Sequence, residues 1–466
     1  MKAVDREQYE EQLVDAYDRE VESAHGGRWI ENVRAGSLIL LFASLWSLPW
    51  AMRAGGLRAT VVAYFVAALA WLLLLRSGNR WPLRFLLVLA FVLRLPLALS
   101  EPALSTDVFR YLWDGKILAA GIDPYREPPA SPQLSLLHES WHSRINHPEL
   151  RTIYPPHAEM IFAAASMAGG LIAWKLLLLA CELSIVALLA RVSLRAATAY
   201  ATMPLAIVEC IWSGHVEALA ALALLASVLC FAKRRALSGA LAALAVGLKL
   251  TPIAAVPAFV RAARRGRWLS AFTCVLLLPA IPFIVAGPVM PGMRDYATRW
   301  IFNAPLFTAV FAASEVSGIA PILKDGWTAV KDPLHLEPIA PWVYAHLYAD
   351  WLARATCGVI ALIAITIAVR RARSLAIASC DATGILLLCS PAVHPWYWIT
   401  LLPLALATRR IGWIAVALLA PCSYLLYDNV PAPAVLSACY GLPLIAAVAA
   451  AIAERRTRRA TAPLPV

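Results

Sequence analysis

Residues 105–129, STDVFRYLWDGKILAAGIDPYREPP, and residues 145–156, INHPELRTIYPP, open and close a polar island in an otherwise apolar chain. Within it lie Asp107, Arg110, Asp114, Lys116, Asp123, His138, His142, His147 and Arg151, with His157 just beyond. Apolar runs flank the island. Three precede it, at 36–52, 60–75 and 84–100; the rest follow at 172–190, 196–212, 216–232, 237–260, 268–287, 351–369, 374–391, 396–408, 411–427 and 434–452. A hydrocarbon core of about 30 Å is crossed by about 20 helical residues. The pattern therefore predicts an all-α integral membrane protein with about 12–14 transmembrane helices. Extracytoplasmic loop and juxtamembrane helices complete it.

Composition agrees. Of 466 residues, 61% are hydrophobic and 15% charged, and the mean hydropathy is +0.68. A soluble domain carries about 25% charged residues. The formal net charge of +12 is spread over short clusters between apolar runs: Arg76, Arg80 and Arg84; Arg191 and Arg195; Lys233–Arg235; Arg261–Arg267; Arg370–Arg373; Arg409 and Arg410; Arg455–Arg459. Such loops stay on the cytoplasmic side, so the charge reports topology and implies no nucleic-acid partner. No CxxC pair occurs among nine cysteines, which argues against a disulfide framework or a thiolate metal site.

With a cytoplasmic N-terminus, three crossings place Glu101 outside, and the island with it. The short run 158–170 would reverse the later basic clusters if it crossed, so it is read as an interfacial or re-entrant helix. Likewise 237–260, flanked by basic residues at both ends, is read as a hairpin of two short helices turning at Lys249–Pro252. Backbone broken at such depth is buried in protein or lines a cavity. The domain reading is a cytoplasmic segment 1–35 with no cleavable signal, a polytopic domain 36–460 with outer loops 101–157 and 288–350, and a cytoplasmic tail 461–466. Both termini are cytoplasmic in this reading, and every unusual polar constellation faces the other side.

Asp107 has two readings. As a general base it would sit at headgroup height; as part of Ser105-Thr106-Asp107 it would cap the helix that follows. Arg110 and Asp114, at i,i+4 spacing, pair with each other or offer a phosphate contact. Glu217, His215 and Lys249 are ionisable groups at the outer ends of spans, where such groups are functional candidates. His394, Trp396 and Tyr397 form an aromatic cluster, readable as a membrane-interface belt or as a site. Trp300 and Asn303 join an indole to a hydrogen-bonding group, which suits a sugar ring. Tyr154 lies in a Tyr-Pro-Pro turn. His147 and His157 are weaker candidates, and His138 with His142 would need a third ligand to hold a metal. No P-loop, dinucleotide fingerprint or Ser-His-Asp signature is present, which disfavours nucleotide chemistry on the cytoplasmic face.

In order along the chain, DVFRYLWDGKILAAGIDPY (107–125), TIYPP (152–156), WSGHVEAL (212–219), LKLTP (248–252), RWIFN (299–303) and HPWYW (394–398) resemble polytopic GT-C superfamily glycosyltransferases. The closest likeness is to bacterial polyprenol-phosphate-mannose-dependent mannosyltransferases. The resemblance spans about residues 84–410. It implies inverting transfer of a hexose, mannose in the nearest relatives, from a polyprenyl-phosphate-sugar donor to an extracytoplasmic glycan or glycolipid acceptor. Asp107 would be the catalytic base. Lys249, Arg110, His215 and His394 would meet the donor phosphate, and Asp114, Tyr154, Glu217, Trp300, Asn303, Trp396 and Tyr397 the sugar or acceptor. Many relatives carry two adjacent acidic residues where this chain has Thr106-Asp107, so a metal-independent reaction with no cofactor is expected, a divalent metal being left open. Two other functions fit a chain of this kind: a transporter or flippase of a lipid-linked sugar, and a lipid-linked polymer ligase. A transporter would show paired repeats with broken helices at the midplane, and no internal repeat is evident.

Overall fold

The computed structural model describes residues 27–78, 81–263 and 266–445. The acidic segment up to residue 26, the end of the last apolar run and the C-terminal tail lie outside the described residues. Among the described residues, all regular secondary structure is helical, apart from one isolated bridge between Phe302 and Ala392.

The first helix, α1, runs Gly27–Arg76. Fifty residues would extend about 75 Å if straight, more than twice a bilayer core. It folds back at Gly56, whose φ of 67° suits glycine, so two expected spans become one kinked element. After α2 (Leu83–Leu99) the island begins with α3 (Asp107–Ala119) and closes with α4 (Pro156–Gly169). α4 stops at Gly170, φ 62°. α5 (Leu171–Ala190) follows, then α6 (Leu194–Ala201), bent by 48° against Pro204–Trp212. α7 (Glu217–Cys230) and α8 (Arg235–Leu248) complete the first half. The predicted break after α8 is present: Lys249 is extended, and a short turn Thr251–Ala255 leads into Val256–Ala263.

Among the described residues, five helices are long and apolar enough to cross a membrane alone, or up to seven if each bent pair counts as one span. Most of the other expected crossings are helices of 10–17 residues, such as Glu217–Cys230 and Leu375–Cys389. The segment 288–350, expected as a loop, is largely helical: Gly292–Arg299, Pro305–Ser317, Ile319–Lys331 and Ala340–His346. Pro305–Ser317 and Ile319–Lys331 meet at 61° and together have the composition of a broken span or re-entrant loop.

Close backbone packing fixes α3 against α4. Gly115 lies against the α4 backbone, where a Cβ would come within 2.2 Å of the Phe162 carbonyl oxygen. Elsewhere in the bundle, α2, α5 and α6 are joined by a fully buried ion pair, Arg94 Nη2 to Glu182 Oε2 at 2.8 Å. Tyr200 Oη donates to the other carboxylate oxygen at 2.6 Å, and Arg94 Nη1 donates to the Ala201 carbonyl at 2.7 Å. Saturating both charges with hydrogen bonds is what makes such a pair tolerable away from water.

Candidate active site

Asp107 is the first residue of α3, and the capping question resolves locally. Its backbone N–H donates to Ser105 Oγ at 3.2 Å, while Thr106 makes no side-chain capping bond. The Asp107 carboxylate is thereby free for other partners. Oδ1 accepts from Asn146 Nδ2 at 2.9 Å, and Oδ2 lies 3.9 Å from His215 Nδ1. Burial pushes the Asp107 carboxyl above its usual value, against the opposing pull of the Asn146 bond and of Lys249, His147 and Arg110.

His215 reaches this position through the turn Trp212-Ser213-Gly214-His215. Gly214 has φ +81° and sits 3.0 Å, at its would-be Cβ, from Val108 of α3. Its carbonyl accepts from Trp174 Nε1 at 2.7 Å, and Trp212 Nε1 donates to the Glu101 carbonyl at 2.8 Å. A larger residue at 214 would drive this turn away from Asp107.

The RWIFN and HPWYW segments are zipped together by backbone bonds, Phe302 N–H to Pro391 O at 3.0 Å and Val393 N–H to Phe302 O at 2.8 Å. A column of parallel rings results. Phe302 stacks on His394 (4.4 Å between centroids), His394 on Trp396 (4.4 Å), and Trp396 on His215 (3.9 Å). Burial first and then Lys249 hold His394 at about 3 and push His215 well below the usual histidine range, which favours neutral stacking rings over cations.

Two cavities of about 410 Å³ each adjoin here. The first is lined by Asp107, Arg110, Asn146, His147, Arg151, His394, Trp396, Tyr424 and Tyr427 among others. The second is mostly apolar, with Leu250, Trp351, Leu387 and Ala392, and carries Lys249 and Arg354. Tyr154, Tyr296, Trp300 and Tyr397 line both and form the partition. Tyr296 and Tyr397 are hydrogen-bonded hydroxyl to hydroxyl. Lys249 Nζ is 2.7 Å from Glu217 Oε1 and 4.6 Å from the Tyr397 ring centroid.

The sequence candidates divide accordingly. Asp107, Arg110, Lys249, His394, Tyr154, Trp300, Trp396, Tyr397 and His147 line one or both cavities. Glu217 lies beneath Lys249, and His215 stacks on Trp396. Three others are elsewhere. Asp114 is fully buried, binding Arg110 Nε at 2.8 Å through each carboxylate oxygen. Asn303 has φ 48° and turns its Nδ2 to the Val393 carbonyl, shaping the zipped loop. His157 packs on Gly247 and bonds the Val275 carbonyl at 2.8 Å, between helices. Sequence reasoning did not single out Asn146, Tyr424 or Tyr427; each acts through a partner far away in the chain. His138 and His142 stack on each other at 3.6 Å, and among the described residues no group of three or more His, Cys, Asp or Glu gathers around a common point.

Two family profiles match the chain. Residues 29–265 match the N-terminal domain of alpha-(1->6)-mannopyranosyltransferases, and residues 152–391 match glycosyltransferase family 87. No curated protein and no solved structure matches it.

Proposed function

Since the chain belongs to the alpha-(1->6)-mannopyranosyltransferase family, and is a membrane glycosyltransferase on that ground, we propose that it transfers a hexose, mannose by its family, from a polyprenyl-phosphate donor to a glycan or glycolipid acceptor outside the cytoplasm. The observation that carries this is the pair of adjoining cavities. One is almost wholly apolar and carries Lys249 and Arg354 in its wall, the other is more polar and carries the Asp107 carboxylate, and they share an aromatic partition.

The donor's prenyl chain suits the apolar cavity, and its phosphate meets Lys249. Trp300 and Tyr397 in the partition present faces to the sugar's C–H groups. The acceptor hydroxyl enters from the polar cavity, and Asp107 takes its proton as the oxygen attacks C1. The C1–O bond to phosphate breaks, its electron pair leaves with the phosphate oxygen, and the configuration at C1 inverts. Charge that develops on the departing phosphate is stabilised by a fixed cation in a dry site. Arg110, held by Asp114 and with Nη2 unpartnered, stands on the polar rim. The raised Asp107 carboxyl is a stronger base than an exposed aspartate, matched to general-base work near neutral pH.

The orientation reading draws on helix geometry. α2 puts its 17 residues, about 25 Å, between Arg84 at its start and the segment leading to Asp107. Arg191, Lys233–Arg234 and Arg409–Arg410 likewise lie in the connections after α5, α7 and Leu402–Ala407, Arg235 opens α8, and Arg370–Arg371 end the helix Ala349–Arg371, at the helix ends opposite those that lead to the site. Cytoplasmic basic loops then leave the cavities facing outward.

The test is incorporation of labelled mannose from polyprenyl-phosphate-mannose into membranes carrying the wild type or Asp107→Asn. Loss of transfer with donor binding retained is expected. Full transfer by the variant would remove Asp107 from the mechanism.

A further inference from the structure

Behind Asp107 lies a line of buried polar groups that the transfer step above does not use. His215 is fully buried, and neither ring nitrogen has a hydrogen-bond partner among the described residues. Nδ1 faces Asp107 Oδ2 at 3.9 Å; Nε2 faces Glu209 Oε2 at 3.5 Å. Glu209 is also fully buried and receives the Tyr424 hydroxyl at 2.9 and 3.0 Å. Trp396 covers one face of the imidazole at 3.9 Å, separating it from His394. His215 is therefore out of reach of a donor phosphate.

Counting charges fixes the protons. Of the nearby cations, Lys249 is taken by Glu217 and Arg110 by Asp114. An ionised Glu209 would be a fully buried anion with no cation against it, which a protein interior tolerates only at large cost. If Glu209 keeps its proton, its O–H needs an acceptor, and His215 Nε2 is the group facing it. The imidazole then carries its hydrogen on Nδ1, pointed at Asp107. The opposite assignment leaves an imidazole lone pair facing one carboxylate and a second carboxylate unneutralised.

We propose that Glu209 and His215 are positioning residues for the base: protonated Glu209 donates to His215 Nε2, and His215 Nδ1–H donates to Asp107 Oδ2. Asn146 holds Oδ1 from the other side, so the carboxylate plane is fixed from both ends with a lone pair left for the acceptor hydroxyl. From 3.9 Å and 3.5 Å, the two contacts close to the usual length of about 2.9 Å by side-chain adjustments of about 1 Å toward Asp107 and about 0.6 Å toward Glu209. No proton leaves this line during transfer; it is taken up at Asp107 and released to the polar cavity. The inference rests on the reading of Asp107 as base.

The experiment measures transfer from polyprenyl-phosphate-mannose by the purified full chain, with kcat, donor KM and the pH profile, on four variants. His215→Leu removes the donor to Asp107 and should lower kcat by about 10- to 100-fold, the effect of losing one bond to a charged group, with donor KM unchanged. His215→Gln, whose amide can donate to Asp107 and accept from Glu209, should restore most of that loss. Glu209→Leu should resemble His215→Leu. Glu209→Gln keeps a donor toward Nε2 without a charge and should recover most of the rate.

The acid limb of kcat/KM should move to higher pH in His215→Leu, because Asp107 loses a bond that favours its anion. The other charged or titratable groups around it, Arg110, His147, Glu217, Lys249, His394, Tyr64 and Tyr424, are the same in all variants. Glu209→Gln is isosteric and decides the matter even if the leucine variants fail to fold. A loss there as large as in Glu209→Leu would overturn the neutral-acid assignment. So would a rise in donor KM at His215→Gln without change in kcat, which would make His215 a donor contact. If Asp107→Asn abolishes transfer while His215→Leu matches wild type, only this inference falls; if Asp107→Asn is active, the base reading itself falls.

Discussion

Lys249 has two duties in this structure, and they can be separated. It neutralises Glu217, whose side chain is 0% exposed, and it faces the cavity with 12% of its own side chain exposed. At 2.7 Å and an effective dielectric constant of about 20, the Coulomb attraction is about 6 kcal/mol before desolvation. Removing one partner of such a pair typically costs about 3–5 kcal/mol, since the other charge is stranded. Lys249→Met should therefore lower stability by about that amount and abolish transfer. Adding Glu217→Gln removes the stranded charge and should return stability to within about 1–2 kcal/mol of wild type. Transfer should stay at least about 100-fold down, because a departing phosphate still lacks its cation. The assay pairs thermal unfolding in detergent with single-turnover transfer from polyprenyl-phosphate-mannose. A double variant that is stable and transfers at the wild-type rate with unchanged donor KM would refute the phosphate role and leave Lys249 as a structural counter-ion only.

Further predictions follow from other contacts. Asn146→Ala removes the donor to Asp107 Oδ1. Its loss raises the carboxyl pKa further, because that bond favours the anion. Because protonated Asp107 is inactive, the fall of kcat/KM on acidification should then begin at higher pH. Gly115→Ala places a methyl 2.2 Å from the Phe162 carbonyl oxygen and 2.4 Å from its carbon. Backbone cannot yield as a side chain does, so α3 should shift against α4, costing about 1–3 kcal/mol; a displacement of about 1 Å at Asp107 would lower the rate about 100-fold. Arg94→Met strands Glu182 inside the bundle and should cost about 3–5 kcal/mol in unfolding. Transfer per folded molecule should be unchanged, because neither residue lines a cavity.

What could be read from the sequence was whatever is local or periodic. Basic clusters between apolar runs, the short run after Pro155-Pro156 and the Lys249–Pro252 break all carry their signal within a few residues, and the helices follow them. Burial depth and distant partners carry no such signal. Asp114 and Asp107 look alike in sequence and, seven residues apart, share one face of α3; Asp107 is its first residue, beside the cavity, while Asp114, two turns further on, is buried against Arg110. Asn303 was read as a sugar contact, but its left-handed backbone serves the zipped loop instead. The pairing of Phe302 with residues 391–393 spans about ninety positions of chain, and Tyr424 reaches Glu209 across 215. No pattern of spacing predicts these. They are also what make a ring column and a partition from motifs that, taken singly, suit an interfacial belt equally well.

The central claim is that the activated sugar arrives on a prenyl phosphate from within the membrane. The direct measurement uses purified protein in proteoliposomes supplied with labelled mannose either as polyprenyl-phosphate-mannose or as a nucleotide-diphosphate sugar, following product and released polyprenyl phosphate together. Transfer from the lipid donor, with one polyprenyl phosphate released per sugar and the anomeric configuration inverted, is the predicted result. Transfer from the nucleotide sugar with the lipid donor inert would contradict it.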